Sequence, residues 1–251
     1  MHRYHKEILE QIKQRAAETN TPLQQGNRYV GTTKPIYSIR SAVVGEMFRE
    51  FKKRHADLSL DEFVALLDSL APGETYNEFT AIGVLLGAYP KLRAALDPRC
   101  LDRWLEHASG WAEVDVTCQF NFDAHEMFTN WNAWKKLLTD FTKSPNVHKR
   151  RASLVLLTKP LRESDDARLA KLAFANADKL KHEKDILITK AVSWILRSLI
   201  KYHRAEVEAY LYANANELPK IAIRETRIKL KTGTKSGRSQ KSTTKKDKRV
   251  R

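Results

Sequence analysis

The sequence predicts an all-α fold built from stacked helix pairs. Two observations carry this. Glycine is scarce, with 9 in 251 residues, and no alternating Val/Ile-rich run is present, which argues against a large sheet. Helix-start signals recur along the chain, with short connections between the segments they open.

Residues 3–17 read as a helix with Tyr4, Ile8, Leu9 and Ile12 on one side, ended by Asn20 to Pro22. Residues 26–35, GNRYVGTTKP, are a turn-rich connection. Residues 38–54 place Val43, Val44, Met47, Phe48 and Phe51 on an apolar face. Ser59-Leu60-Asp61-Glu62 is a capping box, in which serine and glutamate satisfy each other's free amides, and it opens a helix to Leu70. Thr75-Tyr76-Asn77-Glu78 repeats the device for a helix through Phe79, Ile82, Leu85 and Leu86 that stops near Pro90. Asp97-Pro98 reads as an N-cap with proline at the first helical position, ahead of Leu101, Trp104 and Leu105. Further helices are expected over residues 111–120, 131–141, 147–158, 165–178, 185–202, 205–214 and 218–229.

These helices recur as pairs every 35–45 residues, the period of a HEAT-like or armadillo-type α-solenoid. The repeats are degenerate in sequence, and an ordinary helical bundle is the alternative. Residues 1–230 form the expected repeat domain. From residue 231 to 251 Gly, Ser, Thr and Lys dominate, which reads as a disordered basic tail.

The net charge is +15. Residues 229–251 hold ten Lys/Arg and one Asp, which leaves +6 for the rest. A basic body with a basic tail points to a polyanionic partner, most often nucleic acid. A concave basic face of a solenoid would cradle a duplex through its phosphates. No apolar run reaches the roughly eighteen residues of a membrane span, and the polar start has no signal-peptide character, so a soluble, cytoplasmic monomer is expected, nucleoid-associated if bacterial. Cys100 and Cys118 lack metal-ligand spacing, no His/Cys/Asp cluster suggests a metal, and no cofactor is expected.

One stretch stands out, Ser109-Gly110-Trp111-Ala112-Glu113-Val114-Asp115. Trp111 and Asp115 are four residues apart, on one helical face. A carboxylate beside an indole stabilises a cation by charge and by the ring's negative face. Taken alone, the pair favours the plainer reading of a core tryptophan and a solvated or capping acid, and Asp115 could equally pair with a neighbouring Arg or Lys.

Further on come Asn146-Val147-His148-Lys149-Arg150-Arg151-Ala152-Ser153-Leu154 and Lys190-Ala191-Val192-Ser193-Trp194-Ile195-Leu196-Arg197. Upstream lie Arg28-Tyr29, with Ile39 beyond, and Asn77-Glu78-Phe79. In this order and at these separations, residues 28–228 resemble the AlkD-type DNA alkylation repair family, the HEAT-like-repeat DNA glycosylases. The resemblance implies that Asp115 is the catalytic carboxylate and that Trp111 and Trp194 are aromatic walls beside the deoxyribose of the lesion. It places Arg151 in the cleft near the DNA backbone, Tyr29 as a further cleft residue and Arg197 in support or phosphate contact. Lys149 and Arg150 complete the expected DNA-binding set. Gly110 departs from the family, which often has a second aromatic residue there.

The implied activity is excision of cationic N3- or N7-alkylated purines from duplex DNA in base excision repair, by a monofunctional hydrolase without metal. The family is understood to act on the sugar from outside, with the lesion left largely stacked. Each residue also has a plainer reading. Trp194, among Val192, Ile195 and Leu196, fits a core position, and the basic run 149–151 fits a solvated or phosphate-contacting face. Trp104, Trp131 and Trp134 read as packing, and Cys118 as a small buried residue. Rival functions are a non-catalytic binder of damaged or branched DNA and a protein-binding solenoid scaffold.

Overall fold

The computed structural model describes residues 1–237; residues 238–251, most of the expected tail, lie outside the described residues. The chain opens with α1 (Arg3–Glu18), the two-residue strands β1 (Leu23–Gln24) and β2 (Ile36–Tyr37), and α2 (Ser41–Arg54). Next come α3 (Leu60–Leu70), α4 (Tyr76–Ala88), α5 (Pro90–Ala94), α6 (Cys100–Leu105), α7 (Trp111–Cys118) and α8 (Ala124–Thr129). The remainder is α9 (Trp131–Phe141), α10 (Val147–Val155), α11 (Pro160–Glu163), α12 (Ala167–Leu180), α13 (Ile186–Leu199), α14 (Arg204–Ala213) and α15 (Lys220–Thr232).

The architecture is an all-α helical repeat. Helices α4, α7, α10, α13 and α15 pack side by side in one row, backed by α3, α6, α9, α12 and α14. The row helices begin at residues 76, 111, 147, 186 and 220, so the unit recurs every 34–39 residues. One core of Phe, Leu, Ile and Val runs between the two layers. No helix among the described residues is long and apolar enough to cross a membrane.

Polar contacts at this same interval tie each repeat to the next. Arg93 on α5 pairs with Glu126 on α8, its Nε and Nη2 both donating to Oε1 at 3.0 and 2.7 Å. Arg150 pairs with Glu183 at 2.7 Å. Asn121 donates to Gly83 O at 3.0 Å, and Asn176 to Leu138 O at 3.3 Å. At Gly83 the backbones of α4 and α7 meet: a Cβ there would overlap the Val116 carbonyl. Gly83→Val is therefore expected to lower stability by about 2–3 kcal/mol through overpacking, measured by denaturant unfolding.

The two capping boxes form, Ser59 with Glu62 and Thr75 with Glu78. A third, Asp123 with Glu126, opens α8, and its glutamate is the one that holds Arg93. The helix start expected at Asp97-Pro98 comes too early. Asp97 Oδ1 accepts Arg99 N–H at 2.9 Å, which holds a turn, and α6 begins at Cys100. The short α5, α8 and α11 and the β1–β2 pair were not expected, because segments this short carry no periodicity. The Asn77 side chain fixes β2 against α4 by bonding both the N–H and the C=O of Tyr37, at 2.8 and 3.0 Å. At the other end α15 continues to Thr232, two residues into the expected tail, and stops at left-handed Gly233.

Candidate active site

The site is built at the start of α7. In the loop before α2, Asn27 Oδ1 accepts from Tyr29 N–H at 2.9 Å and Val30 N–H at 3.3 Å, and Asn27 N–H bonds Thr32 O at 2.9 Å. This turn aims two carbonyls at α7. Trp111 Nε1–H donates to Tyr29 O at 3.2 Å, and Ala112 N–H to Val30 O at 3.4 Å. Two glycines allow the approach. Gly31 has φ +73°, and a Cβ on it would lie 2.7 Å from Trp111 Cδ1. A Cβ on Gly110 would lie 2.6 Å from the Gly31 carbonyl carbon. Gly110 therefore faces the loop backbone, so its lack of a side chain seats the loop and does not loosen a cleft wall. Buried Glu113 closes the helix start, accepting from Ser109 N–H at 2.6 Å and Ser109 Oγ at 3.0 Å. Gly31→Ala is expected to destabilise by about 1–2 kcal/mol from its left-handed backbone alone and to displace the indole, read as a lower denaturation midpoint.

One turn along α7, Asp115 meets Arg151 of α10 in a bidentate pair. Nε donates to Oδ1 at 2.9 Å and Nη2 to Oδ2 at 2.8 Å. The remaining Nη1 donates to Leu187 O at 2.7 Å, so one guanidinium joins three consecutive repeats. Both side chains are almost fully buried. Burial pushes the Asp115 carboxyl above its usual range, and the hydrogen bonds and charge of Arg151 oppose that rise.

Asp115 and Arg151 line a cavity of about 360 Å³ together with Trp111, Trp194, Lys190 and Arg197. The two indoles, from helices two repeats apart, thus open on one space that contains the carboxylate. Trp194 is only partly buried, whereas Val192, Ile195 and Leu196 beside it are fully buried, so it sits at the edge of the core and not in it. Arg197 is held by Glu225 of α15 at 3.5 Å and by Ser193 Oγ at 3.3 Å. Burial pulls Arg197 below the ordinary guanidinium range, and Glu225 opposes it.

The other expected residues lie elsewhere. Lys149 turns to Asp102 and Glu106 at 2.8 and 2.7 Å, and Arg150 to Glu183; neither lines the cavity. On a helix, residues one and two positions before Arg151 point about 100° and 200° away from it. Tyr29 does not line the cavity either, and its side chain stands exposed on the loop that holds Trp111. Arg151 does reach the cavity, but its guanidinium is committed to Asp115 and Leu187. Sequence reasoning passed over Glu225, Lys190, Lys235 and Gly31. The interval of the repeat is the signal for the first, since Glu225 lies 32 residues after its partner Ser193, whose Oγ donates to it at 2.6 Å.

A family model described as DNA alkylation repair enzyme matches residues 8–230. No curated protein matches the chain.

Proposed function

The chain belongs to the DNA alkylation repair enzyme family, and from that premise we propose that it is a DNA glycosylase for cationic N3- and N7-alkylated purines in duplex DNA. One observation carries the reading: Trp111, Asp115 and Trp194 open on a single cavity. An alkylated purine already bears positive charge, so it leaves without a general acid. The C1′–N bond breaks, its electrons neutralise the purine, and positive charge develops on the deoxyribose, as in other glycosyl transfers. The Asp115 carboxylate, itself almost fully buried and held in place by Arg151, is a fixed charge that stabilises that developing cation. It also orients the water that adds at C1′ and passes the water's proton to solvent. The indole faces flank the same cation.

Arg151 then acts through Asp115. Its two hydrogen bonds fix the carboxylate's direction and favour the ionised form, while leaving each oxygen a further lone pair. Lys190, exposed at the cavity, is a cation placed to meet a phosphate.

Trp194→Ala is expected to remove about 0.5–2 kcal/mol of cation stabilisation, a fall of about 2- to 30-fold in single-turnover base release. An unchanged rate would remove Trp194 from the chemistry. The tight Asp115–Arg151 pair favours a second reading, in which it only pins α7 to α10 in a non-catalytic binder of alkylated DNA. Tight binding of a methylated duplex without any base release would establish that one instead.

A further inference from the structure

We propose that Arg162, Lys201 and Lys229 form a phosphate clamp for the duplex backbone, set beside the Asp115 cavity at the C-terminal end of α13. The place of the lesion rests on the glycosylase reading above; the clamp itself rests on three cations that the fold gathers without an acid to pair them.

The three come from distant parts of the chain. Arg162 lies on α11, Lys201 just beyond α13 and Lys229 on α15. Two contacts tie them to each other and to Arg197: Lys201 Nζ donates to Arg162 O at 2.7 Å, and Lys229 Nζ to Arg197 O at 2.8 Å. Among the described residues none of the three is in an ion pair, because the acids beside them in sequence serve other cations. Glu163 reaches Lys159 at 3.6 Å, and Glu225, one turn before Lys229, holds Arg197 and Lys235. The Arg162 guanidinium makes no hydrogen bond to a described residue. Arg162 and Lys229 are nevertheless half-buried, and Lys201 is exposed.

This arrangement is unfavourable until an anion arrives. Burial pulls Arg162 below the ordinary guanidinium range, with only Glu163 opposing. Burial, then the charges of Arg197 and Arg162, pull Lys229 below the ordinary ammonium range. A phosphate relieves both, since its oxygens accept from several charged donors at once. The donors are free to meet it: Arg162 keeps its whole fork, and Lys201 and Lys229 each use one ammonium hydrogen on a carbonyl. Duplex DNA is the polyanion that fits, because the cluster is continuous with the cavity. Lys190, Trp194, Arg197 and Lys201 follow one another three or four residues apart on one helical face, and Ile200 keeps helical backbone angles between the last two. At about 1.5 Å per residue, Lys201 lies about 10 Å along α13 from Trp194. One strand carries a phosphate about every 3.4 Å of duplex axis, so the clamp falls about one to three nucleotides from the lesion.

The test compares the native chain with the triple variant Arg162→Gln, Lys201→Gln, Lys229→Gln for binding to a duplex with one tetrahydrofuran abasic analogue, across a salt series. At about 0.9 per neutralised phosphate, with one or two phosphates held, the log–log salt slope of the variant is expected to be shallower by about 1–2. Identical slopes would overturn the clamp. Arg162→Gln alone breaks no hydrogen bond of the fold and replaces the triple variant if the latter melts early. Position is read with methylphosphonates, each removing one backbone charge, placed singly within about five nucleotides of the analogue. A position one to three nucleotides away that weakens binding of the native chain, and to which the variant is indifferent, supports the proposal. Equal losses in both proteins at every position overturn it. The two readings fail separately. Base release by the native chain with unchanged salt slopes fails the clamp alone. A native chain that releases no base fails the glycosylase reading, and the slope still decides whether these three residues bind DNA.

Discussion

Asp115→Asn is expected to lower base release from a methylated duplex about 100- to 1000-fold, the scale at which one preorganised electrostatic group contributes to a charged transition state. The substitution preserves size and one acceptor oxygen, so Arg151 keeps part of its pairing and the helices α7 and α10 stay joined. Duplex affinity should hold or rise, since a negative charge leaves the surface that faces phosphates. Asp115→Ala is a poorer probe. It strands a buried guanidinium, and breaking such a pair costs about 3–5 kcal/mol, so lost activity would mix with lost fold. Single-turnover rates beside circular dichroism melts separate the two effects.

Arg151→Met is expected to act on pH dependence as well as rate. In the proposed reaction Asp115 acts as the carboxylate; burial raises its pKa, with Arg151 holding the rise in check. Activity should therefore fall as pH drops through that raised value. Without Arg151 the value rises further, so the acid limb moves toward neutral pH, and part of the loss is recovered at alkaline pH. Arg151→Lys keeps a charge but loses the fork of two parallel bonds; its limb should lie between those of the native chain and Arg151→Met. If Arg151 served only to join repeats, all three proteins would share one pH profile, and the variants would differ only in stability.

Much of the scaffold could be read from the chain. The helix at Trp131–Phe141 has the expected bounds, and both expected capping boxes form, because periodicity and caps are local signals. Trp111 and Asp115 on one helical face were equally legible. Their setting was less so. Arg151 was expected near the DNA backbone, yet its guanidinium closes on Asp115 one repeat earlier, a partner that only the stacked register supplies. Lys149 and Arg150 looked like part of one basic patch, but helical geometry sends Lys149 to Asp102 of α6 and Arg150 to Glu183 in the connection before α13. Gly110 stood out only as a departure from the family's usual aromatic residue; what it meets is the backbone of Gly31, nearly eighty residues away in sequence and invisible to any local pattern. The return of the chain after Gly233 toward Glu225 likewise depends on a left-handed turn whose direction composition does not reveal.

A cavity that stabilises the sugar cation must set the cationic purine free. The most direct measurement is chromatography of the bases set free when the native chain is incubated with N-methylated duplex DNA in the presence of a metal chelator. Free 7-methylguanine and 3-methyladenine are the expected products, with a strand that breaks only on later alkali treatment at the abasic site. A duplex that retains all its methylated purines would contradict the claim.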